Sequence, residues 1–227
     1  MRRQQGFTLI EIAIVLVIIG LLLGGVLKGQ ELITAARVRN LAAQLDGVKI
    51  AYLGFQDRYR SLPGDYASAQ AAANIPGSGG IATLGCTTAS CSNGKIDDGT
   101  ENESILAWHQ LGRAGFITGN YDGAGATPNP QNTPTNAFSG YLQLINDAVY
   151  LDPNATPPAS LTVKTGSNVP SPILAELDRK IDDGFPQTGS LRFSVWGLST
   201  ANCTLAGPPI VYNAANDIKT CGVAQLQ

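Results

Sequence analysis

The sequence predicts an α+β chain: a long N-terminal helix packed on an antiparallel β-sheet head, with a loop-rich αβ region and a cysteine-bearing C-terminal loop. Three observations predict it. An uncharged apolar run at residues 12–27 passes without a break signal into an amphipathic stretch that reaches Tyr59. Beyond it, short segments of alternating apolar and polar residues, clearest at 190–196, mark strands. Four cysteines lie past the apolar run, in a Gly/Ser/Thr-rich connecting region and near the C-terminus.

Residues 12–27 contain only Ile, Val, Leu, Ala and Gly. Adding residues 7–10 gives an apolar span of about 20 residues, which as a helix matches the hydrocarbon thickness of a bilayer. Arg2 and Arg3 precede it, so the positive-inside tendency keeps the N-terminus cytoplasmic and sends the rest across. Glu11 does not suit an ordinary span, because an unpaired carboxylate in hydrocarbon costs about 2.5–3.5 kcal/mol or more. A cleaved secretory signal ends in small residues, whereas Leu27-Lys28-Gly29-Gln30 follows here. A plain anchor leaves Glu11 unexplained. A twin-arginine signal accounts for Arg2-Arg3 but not for Glu11 or so apolar a core.

The basic leader ending at Gly6, followed by Phe7-Thr8-Leu9-Ile10-Glu11 and an apolar helix, resembles the class III signal of type IV pilins and type II secretion pseudopilins. The resemblance covers about the first 35 residues closely. It implies cleavage after Gly6 by a membrane prepilin peptidase, N-methylation of Phe7 by the same enzyme, and retention of the apolar helix. It also implies that Glu11 pairs with the N-terminal amine of a neighbouring subunit during assembly. That role is physically sensible, since cleavage creates an ammonium at Phe7, one helical turn from Glu11 of its own chain and of a staggered neighbour. The competing reading of Glu11 is a solvated side chain at the membrane surface. One departure is visible. Many pilins carry a stem proline about fifteen residues after the mature N-terminus, and this chain has none between Arg2 and Leu62.

Charge is divided unevenly. Residues 7–60 carry six basic and four acidic side chains, and residues 61–227 carry seven basic and thirteen acidic ones. An acidic head disfavours nucleic-acid binding, which calls for a basic patch. The even count of cysteines outside the cytoplasm points to disulfides, and four cysteines allow three pairings. Cys86–Cys91 with Cys203–Cys221 is the most local, and the second would close a C-terminal disulfide loop of the kind found in many pilins. A zinc site is the rival, but no C-x-x-C occurs and His109 is the only histidine.

Along the stem, Val38, Leu41, Leu45, Val48, Tyr52, Phe55 and Tyr59 recur at spacings of three and four, one face of a helix. With residues 7–27 this predicts a helix of about 50 residues. Its glycines weaken it by about 1 kcal/mol each relative to alanine, and permit close helix approach. Leu62-Pro63 ends it. Asp65 is then expected to cap a short helix over 66–73. Asn102 or Ser104 starts another, with Trp108 as a core anchor and Gly115 near its end, while His109 has no evident partner. Residues 141–145 and 148–151 read as a hairpin turning at Asn146-Asp147, and Leu161 and Val163 as a further strand. Ser171-Pro172 starts a helix to about Asp182, and a last strand covers 210–212.

The segments are therefore a leader at 1–6, a long helix at 7–60 (membrane or filament-core part 7–27, amphipathic part 28–60) and a globular pilin-like head at 61–227. No nucleophile or acid/base constellation stands out, so the chain reads as a substrate of an enzyme and not as one. No cofactor is expected. Asp97, Asp98 and Glu101 form the weak calcium candidate, lacking EF-hand spacing. The resemblance implies a structural subunit of a type IV pilus-type filament, with the size of the head favouring a minor subunit. The alternatives are a type II secretion pseudopilin and a membrane-anchored adhesin or binding protein that does not polymerise. Expected partners are identical or related subunits, the prepilin peptidase and an assembly platform. The expected location is the bacterial inner membrane, single-pass with the head outside the cytoplasm, then an extracellular or periplasmic filament.

Overall fold

A computed structural model describes residues 8–75, 86, 91–98, 102–154, 156–194, 201–215 and 220–227. The chain divides into two units, Met1–Arg37 and Val38–Gln227. Helix α1, Leu9–Tyr59, is continuous, and no proline interrupts it. In the first unit its apolar side chains are exposed, from Leu9 at 92% to Leu27 at 64%. Mean hydropathy reaches 2.8 over an 18-residue window with none of it buried. Such a surface is stable only in lipid or against other chains.

In the second unit, Val38, Leu41, Leu45, Val48, Tyr52 and Phe55 are buried, and Tyr59 packs beside them, which is the face the spacing predicts. Arg37, Asp57 and Arg58 are exposed and Lys49 is half-buried. The face packs into one core with α3 (Glu103–Arg113) through Trp108 and Leu111, and with α4 (Ser171–Ile181) through Leu174 and Leu177. Gly54 has a specific job. A Cβ there would lie 2.8 Å from the Phe116 ring, so its absence lets that ring sit against the helix.

The sheet has four antiparallel strands in the order β1 (Gln143–Asp147), β2 (Ser160–Lys164), β6 (Val223–Leu226), β3 (Leu191–Phe193). A two-stranded ribbon joins β4 (Thr204–Leu205) to β5 (Val211–Tyr212). Leu144, Val163, Leu191 and Val223 carry the sheet's contribution to the core. The fold is therefore the mixed α+β architecture expected, with a disulfide between Cys203 and Cys221 near its C-terminus.

Several local expectations are corrected. Asn146 and Asp147 are not a turn but strand residues paired with Leu161 and Ser160, so the hairpin is β1–β2 with a long connection. Residues 148–151 are not a strand; the Leu151 N–H donates to the Phe193 carbonyl. Ser171 is the first helical residue and does not cap. Pro170 precedes α4, and the Ser171 hydroxyl donates to the Cys203 carbonyl. The strand foreseen at 190–196 is described only at Leu191–Phe193, and Trp196 lies outside the described residues. The short C-terminal segment that becomes β6 was not foreseen. It pairs on both edges and closes the sheet.

Candidate functional site

The N-terminal site begins at Thr8. Its backbone N–H and its hydroxyl both donate to Glu11 Oε2 at 2.8 Å, and the Glu11 N–H points back to the Thr8 hydroxyl at 3.4 Å. This is a capping box: Thr8 is the cap and Glu11 the third helical residue. The Thr-x-x-Glu spacing that signals it is plain in the sequence. It gives Glu11 a second task beside the one the family resemblance implies, that of holding the first turn of α1. Gly6 and Phe7 lie outside the described residues.

The head contains two sets of acids whose surroundings define their chemistry. Asp65 is buried. Its two carboxylate oxygens accept from the backbone N–H groups of Asn93 (3.0 Å) and Gly94 (2.9 Å), and its carbonyl accepts from Ser92. It does not cap α2 (Ser68–Asn74), which has no side-chain cap. The neighbouring Gly64 sits at φ +89°, its N–H donates to Gln110 Oε1, and a Cβ there would lie 2.3 Å from the Glu103 carbonyl oxygen. Leu62-Pro-Gly-Asp65 is therefore a junction that fastens the end of α1 to α3 and to the loop after Cys91.

Glu103 is 1% exposed and accepts from the Asp97 N–H. Burial, with Asp97, Asp65 and Asp98 close by, raises its pKa to about 7. Its Oε1 lies 3.1 Å from Cys86 Sγ. Cys86 is bonded to Cys91, so that sulfur carries no proton and the contact is not a hydrogen bond. The same bond removes both sulfurs as thiolate ligands, although the two cysteines and Glu103 cluster.

Of the calcium candidates, Asp98 uses both oxygens, accepting from the Ser104 N–H and from Gln143 Nε2. Asp97 accepts from Asn93 Nδ2 at 3.4 Å, and Glu101 lies outside the described residues. The second acidic cluster, Asp178, Asp182 and Asp183, is similarly engaged. Asp178 accepts from the Gly184 N–H and the Tyr212 hydroxyl, Asp182 from the Leu191 N–H, and Asp183 from the Phe185 N–H and Thr188. Residues 182–189 are thus a turn built around its own carboxylates; Gly189 sits at φ +70°, and a Cβ there would also strike the Asp182 carboxylate. Burial raises the Asp178 pKa to about 6 and raises that of Tyr212 as well.

His109, for which the sequence shows no partner, has one. It is buried, and Nδ1 lies 2.6 Å from the Tyr121 carbonyl, so Nδ1 carries the proton and donates. Burial lowers its pKa, leaving a neutral imidazole. The bond ties α3 to the following loop.

With this geometry in place, the comparison with known families is informative at one end of the chain. Residues 1–27 match the prokaryotic N-terminal methylation motif. The chain thus carries the class III signal of type IV pilins and pseudopilins, joined to a long apolar N-terminal helix. That signal points to a structural subunit that is processed by a prepilin peptidase and assembles with other subunits at the membrane. No curated protein and no solved structure matches the chain.

Proposed function

We propose that the chain is a structural subunit of a type IV pilus-type filament, cleaved after Gly6, N-methylated at Phe7 and assembled through its apolar stem. The observation that carries this reading is the methylation motif at residues 1–27, set on a helix whose apolar window is wholly exposed. Such a helix has two stable surroundings, the bilayer before assembly and other stems after it. Residues 1–6 are then a leader, 7–60 the stem and 61–227 the head, which the bilayer orientation places outside the cytoplasm. The size of the head favours a minor subunit over a major one.

Glu11 is the assembly residue in this reading. Its capping-box partners are a hydroxyl and a backbone N–H. An incoming ammonium from a neighbour's Phe7 offers a charge-assisted bond in their place, stronger in hydrocarbon than either. Glu11→Ala tests this directly. The variant is expected to insert in the membrane and fail to enter filaments. Normal filament incorporation would contradict the assignment.

A further inference from the structure

A lysine is rarely placed where water cannot reach it. Lys164 on β2 is fully buried, and its ammonium pairs with the carboxylate of Asp147 at the end of β1, which is itself mostly buried. Register puts both side chains on one face of the sheet. Lys164 lies opposite Gln143, Asp147 lies opposite Ser160, and residues two or four apart on a strand share a face. The lysine's backbone is fixed from both sides, because β2 pairs with β1 on one edge and with β6 on the other.

Burial penalises both charges of such a pair. It lowers the pKa of Lys164 against the opposing pull of Asp147 and of Asp98, whose carboxylate accepts from Gln143 Nε2 at 3.0 Å. In water an acid and an amine persist side by side as hydrated ions. In a site closed to water that hydration is lost, and passage of a proton from the ammonium to the carboxylate leaves a neutral amine beside a neutral acid. The two carboxyl oxygens of Asp147 are differently placed. Oδ2 faces Lys164 Nζ, while Oδ1 accepts from the Val149 N–H at 3.2 Å. Attack on the carbon between them builds charge on an oxygen that already has a donor.

We propose that Lys164 and Asp147 condense to an amide that cross-links β1 to β2 in the folded head. The Nζ lone pair attacks Asp147 Cγ. Negative charge gathers on Oδ1 beneath the Val149 N–H, and Oδ2 departs as water with the protons that the nitrogen sheds. One N–C bond forms and one C–O bond breaks. No electrons are gained or lost, so no oxidant, reductant or activated donor is required. The fold drives the step by proximity, since paired strands hold both reactants in place. The product replaces two buried charges with a neutral amide and ties the far end of β2 to the end of β1 across the connection at 148–159.

Peptide mapping of the full chain purified from its membrane tests this, after reduction and alkylation of the disulfides. No lysine or arginine lies between Arg113 and Lys164, so trypsin normally releases 114–164. An acylated Lys164 resists trypsin, and the expected product is 114–179 lighter by one water. Chymotrypsin then cuts after Tyr150, and the pieces carrying Asp147 and Lys164 should stay joined as a branched peptide. A peptide 114–164 of full mass with no branched species would overturn the proposal. So would the loss of one water with cleavage after Lys164 intact, which marks cyclisation of an aspartate instead. Lys164→Arg keeps the ion pair and cannot form this amide. Its digest should show no branch and normal cleavage at position 164; a branch at Asp147 that persists in that variant would contradict the assignment to Lys164.

Discussion

The hydroxyl of Tyr212 donates a 2.7 Å hydrogen bond to the carboxylate of Asp178 inside the head. The bond joins β5 to α4, and the Cys203–Cys221 disulfide ties the start of the same ribbon to the strand region that leads into β6. Cys221 itself exchanges two backbone bonds with Val169, just before α4. The C-terminal region is thus fastened at three points around one helix.

Tyr212→Phe removes the hydroxyl and leaves Asp178 with the Gly184 N–H alone. The expected cost at neutral pH is about 1.5–3 kcal/mol, the value of a buried hydrogen bond to a charged group. Urea unfolding of the intact chain in detergent checks it. An unchanged midpoint would mean that the bond contributes nothing.

Reducing the Cys203–Cys221 bridge releases an 18-residue loop, worth about 3 kcal/mol in the chain-entropy account. The ribbon and β6 are expected to lose protection from proteolysis before α3 does. Limited digestion with and without reductant, followed by mass mapping, shows the order.

Acid pH is expected to stabilise this head. Glu103 titrates at about 7 in the fold against about 4.5 in the unfolded chain, and Asp178 at about 6 against 3.8. Between these values the folded state binds more protons than the unfolded one, so stability falls as pH rises. For Glu103 the loss begins near pH 4.5, is complete above pH 7, and is on the order of 2–3 kcal/mol. Glu103→Gln should flatten the thermal midpoint over that window. A midpoint in the unaltered chain that rises from pH 5 to 7.5 would contradict the burial argument.

Gly64→Ala should be among the most damaging single changes in the head. It combines a positive φ with a Cβ only 2.3 Å from a backbone oxygen. Backbone must move to relieve it, and a loss above about 3 kcal/mol or failure to fold is expected. Gly47→Ala, on the same chain with nothing within 4 Å of the new methyl, should instead stabilise α1 by up to about 1 kcal/mol. Thermal melts of the two variants separate the cases.

Much of this architecture was legible because it follows from local pattern. The face from Val38 to Phe55 needs only a 3.6-residue period, and the end of α1 needs only Leu62-Pro63. The sheet was harder, since strand partners are set by contacts distant in sequence. Asn146-Asp147 carries a turn composition, yet pairing with Leu161 and Ser160 holds it extended. β6 is only four residues long, too short to show a period, and acquires its identity from neighbours on both edges. Asp65 has the residue type and position of a helix cap. The N–H groups of Asn93 and Gly94, 28 and 29 residues away, reach it and hold it elsewhere. At the N-terminus the residue types were sufficient for the signal, and the Thr8–Glu11 capping box lay unread in the same six residues.

The most direct measurement is the intact mass and N-terminal peptide of the protein purified from its membrane or filament. A chain beginning at Phe7 with one added methyl group is the predicted result. A chain that retains Met1–Gly6, or one cut beyond Leu27 so that the apolar helix is lost, would contradict the account.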